Sequence, residues 1–280
     1  MTSKHCGPTR AWWLVASIGL SAVLSVLQGC AAPAGGNKGV AKLAPGDVQT
    51  DSDTSDADRR ARVRMELAAA YFSRGQSNTA LDEVKMALQA KPDMADAYNM
   101  RGLIYANMGE PALAEDSFRH ALQINPQDAD TMHNFGWFLC QQRRFADAET
   151  QFTAALAVPN YRDLIRTNLA LGVCYARNNN LAEAERSLQR AYELDPANPT
   201  TALNLSEVLL RRGEFERARF YVRRVNAVDD LVNAQTLWLA IRIEKKLGQS
   251  SQVEILGNQL ANRFPQAPEA LLYEKGRFDE

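Results

Sequence analysis

Histidine is scarce in this chain, with only His5, His120 and His133 in 280 residues. No HExxH, no GxSxG, no glycine-rich phosphate loop and no clustered Cys–His set occurs. Those are the arrangements that position a metal, an activated nucleophile or a phosphate. The expectation is a non-enzyme with no metal, no cofactor and no small-molecule substrate. Cysteine is equally sparse: Cys6, Cys30, Cys140 and Cys174 are too few and too scattered for a disulfide framework. Net charge is −1, with no basic stripe, so nucleic acid is not an expected partner. Long apolar runs are missing too. Ala11 to Leu27 carries no charge, but it is short and diluted by Ser17, Gly19, Ser21 and Ser25. A bilayer-spanning helix needs about 20 mostly apolar residues.

What that run does have is a context. Lys4 and Arg10 precede it, and "SVLQGC" at 25–30 ends it. A positive start, an apolar middle and a small-residue end make a signal peptide. Leu27-Gln28-Gly29-Cys30 resembles the lipobox of bacterial lipoproteins, with Gln28 a mild departure from the usual small residue. The resemblance implies cleavage after residue 29, lipidation of Cys30 and a membrane held through acyl chains. An uncleaved anchor with an incidental cysteine is the alternative. Loss of residues 1–29 removes Lys4 and Arg10 and no acid, leaving the rest two charges more negative. Residues 30–58 then read as an acylated N-terminus and a flexible tether, rich in Gly, Ala, Pro, Asp, Ser and Thr. Its closing "DSDTSDAD" is suited to capping a first helix, and little order is expected before about Arg59.

Beyond it the chain repeats. Tyr71, Tyr105, Leu139, Tyr175, Leu209 and Ile243 form one ladder, and Ala80, Ala114, Ala148, Ala184 and Ala218 another. Their spacing is 34 residues, stretched to 36 where "VPNYRD" intervenes. Gly102, Gly136 and Gly172 recur in phase, as do Ala87, Ala121, Ala155 and Ala191, with Pro92, Pro126, Pro159 and Pro196 as punctuation. This period and these residues resemble the tetratricopeptide (TPR) repeat, a helix-turn-helix unit. Small residues at repeat positions 8, 20 and 27 let the two helices approach, and position 11 fills the gap to the next unit. The expected fold is all-α, a right-handed superhelical solenoid at 59–280. Its repeats are 61–94, 95–128, 129–164, 165–198, 199–232 and a degenerate 233–267 that has lost position 20. "PEALLYEKGRFDE" then reads as a capping helix. No unit can bury its apolar stripe alone, so stacking stabilises the array.

Such an array offers the inner face of its first helices as a concave groove. Positions 2, 5, 9, 12 and 13 should line it, and Met65, Phe72, Asn99, Leu103, His133, Trp137, Cys140, Leu169, Val173 and Arg177 are the candidate partner-binding residues. The lining is apolar for a surface that does not build the repeat core, which suits an apolar or amphipathic partner segment. Filling by the tether or the C-terminal helix is the alternative. Asp96 and Asp130 are expected toward one end, Arg166, Arg177 and Arg211 toward the other. Asn134 and Asn204 sit at position 6, but the lysines of a carboxylate clamp for chaperone tails are missing. Cys174, at position 10, reads as a small core residue. Cys140, at position 12, should face elsewhere, so no disulfide between them is expected.

"NFGWFLC" at 134–140 and the offset "VPNYRD" junction resemble the PilF/PilW family of type IV pilus biogenesis lipoproteins, over about residues 60–265. The resemblance implies a pilotin that accompanies the pilus secretin subunit to the inner leaflet of the outer membrane, on the periplasmic face of a Gram-negative envelope, or promotes its assembly into a ring. Ala31, rather than an aspartate, after Cys30 fits outer-membrane sorting. The other readings are a TPR scaffold of β-barrel insertion and a regulator of a cell-wall hydrolase.

Overall fold

The computed structural model describes residues 56–279; the signal peptide, Cys30 and nearly all of the tether lie outside them. Among the described residues there are thirteen α-helices and no strand. Six helices take the A position of a repeat: α1 (Asp56–Ser73), α3 (Ala95–Met108), α5 (Ala129–Gln141), α7 (Leu164–Arg177), α9 (Pro199–Arg211) and α11 (Ala234–Lys246). Their B partners are α2 (Ser77–Ala90), α4 (Pro111–Ile124), α6 (Phe145–Ala157), α8 (Leu181–Leu194), α10 (Phe215–Asn226) and α12 (Ser250–Arg263). A 3-10 turn, Asp229–Leu231, precedes α11, and α13 (Pro268–Glu274) closes the array. The fold is therefore the expected all-helical TPR array. Helix α1 starts at Asp56, before the expected Arg59, with Asp56 and Asp58 in its first turn. Two acids there complement the positive end of the helix dipole.

The close-packing logic holds in detail. Ala80, Ala114, Ala148, Ala184 and Ala218 are fully buried, as are Ala87, Ala121, Ala155 and Ala191. Position 8 on helix A meets position 24 on helix B. A Cβ on Gly102 would lie 2.7 Å from the Phe118 ring, and one on Gly172 would lie 2.6 Å from Leu188. The glycine on one helix thus makes room for the large side chain on the other. Each such buried side chain contributes about 1.5–3 kcal/mol. Every A–B turn then needs one left-handed residue. Gly75, Gly109, Gly213 and Gly248 supply it in four repeats, Arg143 and Asn179 in the other two.

The sixth repeat corrects the sequence register. In each of the first five, the amide five residues beyond position 11 donates to the position-11 carbonyl, as Glu110 does to Tyr105 and Glu214 to Leu209. The sixth such bond runs from Gln249 to Glu244. The rung is Glu244, not Ile243. The extra residue is absorbed before α11, so the unit starts at 234 and its position 20 is Val253. The position 8/24 pairing is also reversed there, with Ile241 on helix A and Gly257 on helix B. The room over Gly257 is taken by Tyr273 of α13, whose ring lies where a Cβ on residue 257 would stand. Glu244 is 2% exposed and accepts from Arg223 at 2.7 Å, with Arg219 at 3.7 Å. Two guanidinium groups thus neutralise a carboxylate on the rung where Leu or Tyr otherwise sits.

Candidate protein-binding groove

The A helices lie side by side, and three connected depressions follow them. The first, about 360 Å³, is lined by Phe72, Leu103, Ala106, Trp137 and Phe138 among others. The second, about 300 Å³, is lined by His133, Trp137, Arg166, Leu169, Ala170, Val173, Thr200 and Asn204. The third, about 480 Å³, runs from Thr200 and Asn204 past Glu207, Trp238 and Arg242 to Glu269 of α13. Trp137 is shared by the first two, and Thr200 and Asn204 by the last two, so each depression adjoins the next.

Six of the ten candidate residues line these depressions: Phe72, Leu103, His133, Trp137, Leu169 and Val173. Met65 is half-buried against the first repeat's core. Asn99 accepts from the Asn134 side chain at 3.1 Å, a bond between neighbouring A helices. Arg177 lies over the Trp137 ring, 5.0 Å from its centroid.

Cys140 is a correction. It is 1% exposed and joined by a disulfide to Cys174, with the Cα atoms 5.8 Å apart. That separation is within the usual range for a disulfide. The expectation of different faces considered each helix alone. In a stack, α5 and α7 are parallel neighbours, so the side of one that looks forward meets the side of the next that looks back. Position 12 of α5 thus meets position 10 of α7. Cys140 therefore fastens the wall beneath the groove instead of lining it.

The acidic and basic sides of the expected gradient meet between α5 and α7, where Arg166 reaches Asp130 at 3.0 Å and also lies 3.6 Å from Asp163. The neighbouring carboxylates of Asp128 and Asp130 add to desolvation in holding the Asp96 carboxyl above its ordinary range.

His133 is 7% exposed. Its Nδ1 lies 2.9 Å from Thr167 Oγ1, which also bonds the Tyr161 hydroxyl at 2.8 Å. Tyr161 belongs to "VPNYRD", so the inserted residues fold back onto α7 and are tied to α5 through Thr167. Burial, and secondarily the Arg166 charge, push the imidazole pKa down to about 4. His133 is therefore neutral at neutral pH, a polar strut of the groove wall.

The third depression was only partly legible. Leu203 and Glu207 occupy positions 5 and 9 of the fifth repeat. Trp238 and Arg242 come from the slipped sixth repeat, and become visible only when it is counted from 234. Arg242 pairs with Glu207 at 3.3 Å, so this end of the groove is polar.

Comparisons with known proteins agree with this geometry. Models described as tetratricopeptide repeat match residues 95–128, 136–199 and 175–237. A comparison with curated proteins returns no match. Among solved structures, PilF of Pseudomonas aeruginosa is 25% identical with a TM-score of 0.68, over 79% of this chain and 100% of that one. PilW, described as a widely conserved type IV pilus biogenesis factor, is 29% identical with a TM-score of 0.70, over 75% of this chain and 96% of that one. YrrB, a TPR protein with an unusual peptide-binding site, is 17% identical with a TM-score of 0.57 and matches in fold; the alignment spans 69% of this chain and 97% of that one. The chain is a tetratricopeptide-repeat scaffold for protein partners, similar in structure to PilF and PilW at low identity.

Proposed function

We propose that this chain is an outer-membrane lipoprotein that acts as a pilotin, holding a type IV pilus secretin subunit in its groove while the secretin ring assembles. The observation that carries the reading is the degree of the likeness. PilF and PilW match at 25% and 29% identity with TM-scores of 0.68 and 0.70, above the 17% and 0.57 of YrrB, whose own length is covered as fully. The lipobox-like "LQGC" and the "NFGWFLC" and "VPNYRD" stretches add to it. Acyl chains on Cys30 supply membrane affinity, and several chains hold far better than one. Residues 31–55 give reach, and the groove around Leu103, Trp137 and Val173 holds the partner segment. Tethering raises the local concentration of subunits, which favours ring formation.

The test is deletion of the gene, followed by a blot for heat- and detergent-resistant secretin multimers in outer-membrane fractions. Loss of multimers with monomer still present is expected. Normal multimers together with normal pili would remove the reading. A Cys30→Ala chain should remain folded but leave the outer membrane; unchanged fractionation would remove the lipid anchor.

A further inference from the structure

Position 13 of the six repeats runs along one edge of the groove as Ser73, Asn107, Gln141, Arg177, Arg211 and Lys246, counting the last unit from 234. The edge thus changes from neutral to cationic at Arg177. Two of its three cations are already committed. Arg211 donates to the Ala176 carbonyl at 3.0 Å and to Asn179 Oδ1 at 2.9 Å. Lys246 pairs with Asp279 at 2.8 Å. Arg177 has no acidic partner among the described residues; its recorded contact is the face of Trp137.

Trp137 is the residue shared by the first two depressions, and no carboxylate lines either of them. The cation that does line the second, Arg166, is compensated by Asp130 and Asp163. His133 adds no charge and accepts no ion pair. The middle of the groove therefore has an apolar stretch of Leu103, Trp137, Leu169 and Val173, and the exposed Arg177 guanidinium, with no acidic partner, stands over the Trp137 ring at its edge. A guanidinium stacked on an aromatic ring keeps its in-plane N–H donors pointing sideways, where they match the two oxygens of a carboxylate. The ring also fixes the side chain in advance, so less freedom is lost on binding.

We infer that Arg177, held over Trp137, is the carboxylate receptor of the groove, and that the partner segment carries an acidic residue flanked by apolar ones. The inference rests on the groove reading above and names the chemistry of its occupant. A bound segment that covers the exposed Arg177 without offering an acid takes water from its guanidinium and returns no partner, which is unfavourable. A basic segment meets the charge directly.

The test selects displayed random 12-residue peptides on the full chain in detergent micelles, and in parallel on Arg177→Gln. Expected on the wild-type chain is enrichment of peptides with one Asp or Glu among Leu, Ile, Val or Phe. A synthetic copy of the best sequence should bind Arg177→Gln about 10-fold or more weakly. Replacing its acid by the amide should cost a similar factor against the wild type and little against Arg177→Gln, which isolates the pair. Equal affinity for Arg177→Gln, or enrichment of apolar peptides without an acid, would overturn the inference while leaving the groove itself standing. Enrichment of sequences matching residues 46–54 of this chain, with Asp47, Asp51 and Asp53, would give the site to the protein's own segment and overturn it also. No enrichment at all would count against both the receptor and the groove. Secretin assembly is not read in this experiment, so the two proposals fail separately.

Discussion

Removing the disulfide should cost the array about 4 kcal/mol, and the number follows from where the bond lies. Cys140 and Cys174 are 34 residues apart. In the chain-entropy model a closed loop of that length removes about 13 cal/mol/K from the unfolded ensemble, or about 4 kcal/mol at 25 °C. The perturbation is the double substitution Cys140→Ala with Cys174→Ala, both buried positions where a small apolar side chain fits. Repeat arrays couple mainly through nearest neighbours, so the loss should fall on repeats three and four and on the interfaces they share. Urea unfolding followed by circular dichroism, with and without a phosphine reductant, reads it. With a slope of about 2–3 kcal/mol/M, the wild-type midpoint should drop by roughly 1.3–2 M on reduction. The double variant should sit near the reduced value and ignore the reductant. A wild-type midpoint indifferent to reductant, or a non-reduced peptide map with Cys140 and Cys174 unlinked, would refute the reasoning.

Three further outcomes are expected. His133 holds a pKa near 4 in the fold against an ordinary 6.5, so the unfolded chain binds more protons between those values and stability falls as pH drops through that window. The loss should approach about 3 kcal/mol by pH 4 and vanish in His133→Gln; parallel pH profiles for the two chains in urea melts would contradict it. Glu244→Leu places the residue type of Leu139 and Leu209 on the rung but leaves Arg219 and Arg223 without their buried acid, so it should cost about 1–3 kcal/mol once the exposure of Arg223 is allowed for; an unchanged or higher thermal midpoint would show that these pairs do not hold the sixth repeat in place. Gly172→Ala puts a methyl 2.6 Å from Leu188 and 3.2 Å from the Ala184 carbonyl; about 1–3 kcal/mol should be lost by differential scanning calorimetry, and unchanged stability would mean α7 and α8 separate freely.

The ladder residues made the array readable because each rung has one local job. An alanine that lets two helices touch must recur wherever they touch, so Ala80 and its equivalents announce the fold. Trp137, Leu169 and Val173 could be placed in the groove by the same count. What failed depended on relations between units. Cys140 and Cys174 look misaligned on separate helices and meet only across the stack. Asp130 and Arg166 hold equivalent positions in successive repeats, and their ion pair emerges only when the neighbours are laid side by side. The slip at the sixth repeat was hidden because Ile243 is itself apolar and buried, and sits one residue from the true rung.

That slip bears on how freely the units can be exchanged. Repeats two to four share glycine at position 8 and alanine at positions 20 and 27, so apart from the Cys140–Cys174 bond one of them could stand in for another with these contacts preserved. The last unit could not. With Ile241 and Gly257 exchanged in role, a carboxylate at its rung and Tyr273 seated on Gly257, its outer face fits α13 and not a further repeat. A copy of repeat four inserted before residue 199 should be accommodated, whereas the same copy appended after residue 267 would have no surface to join. The groove is thus closed to extension at its C-terminal end.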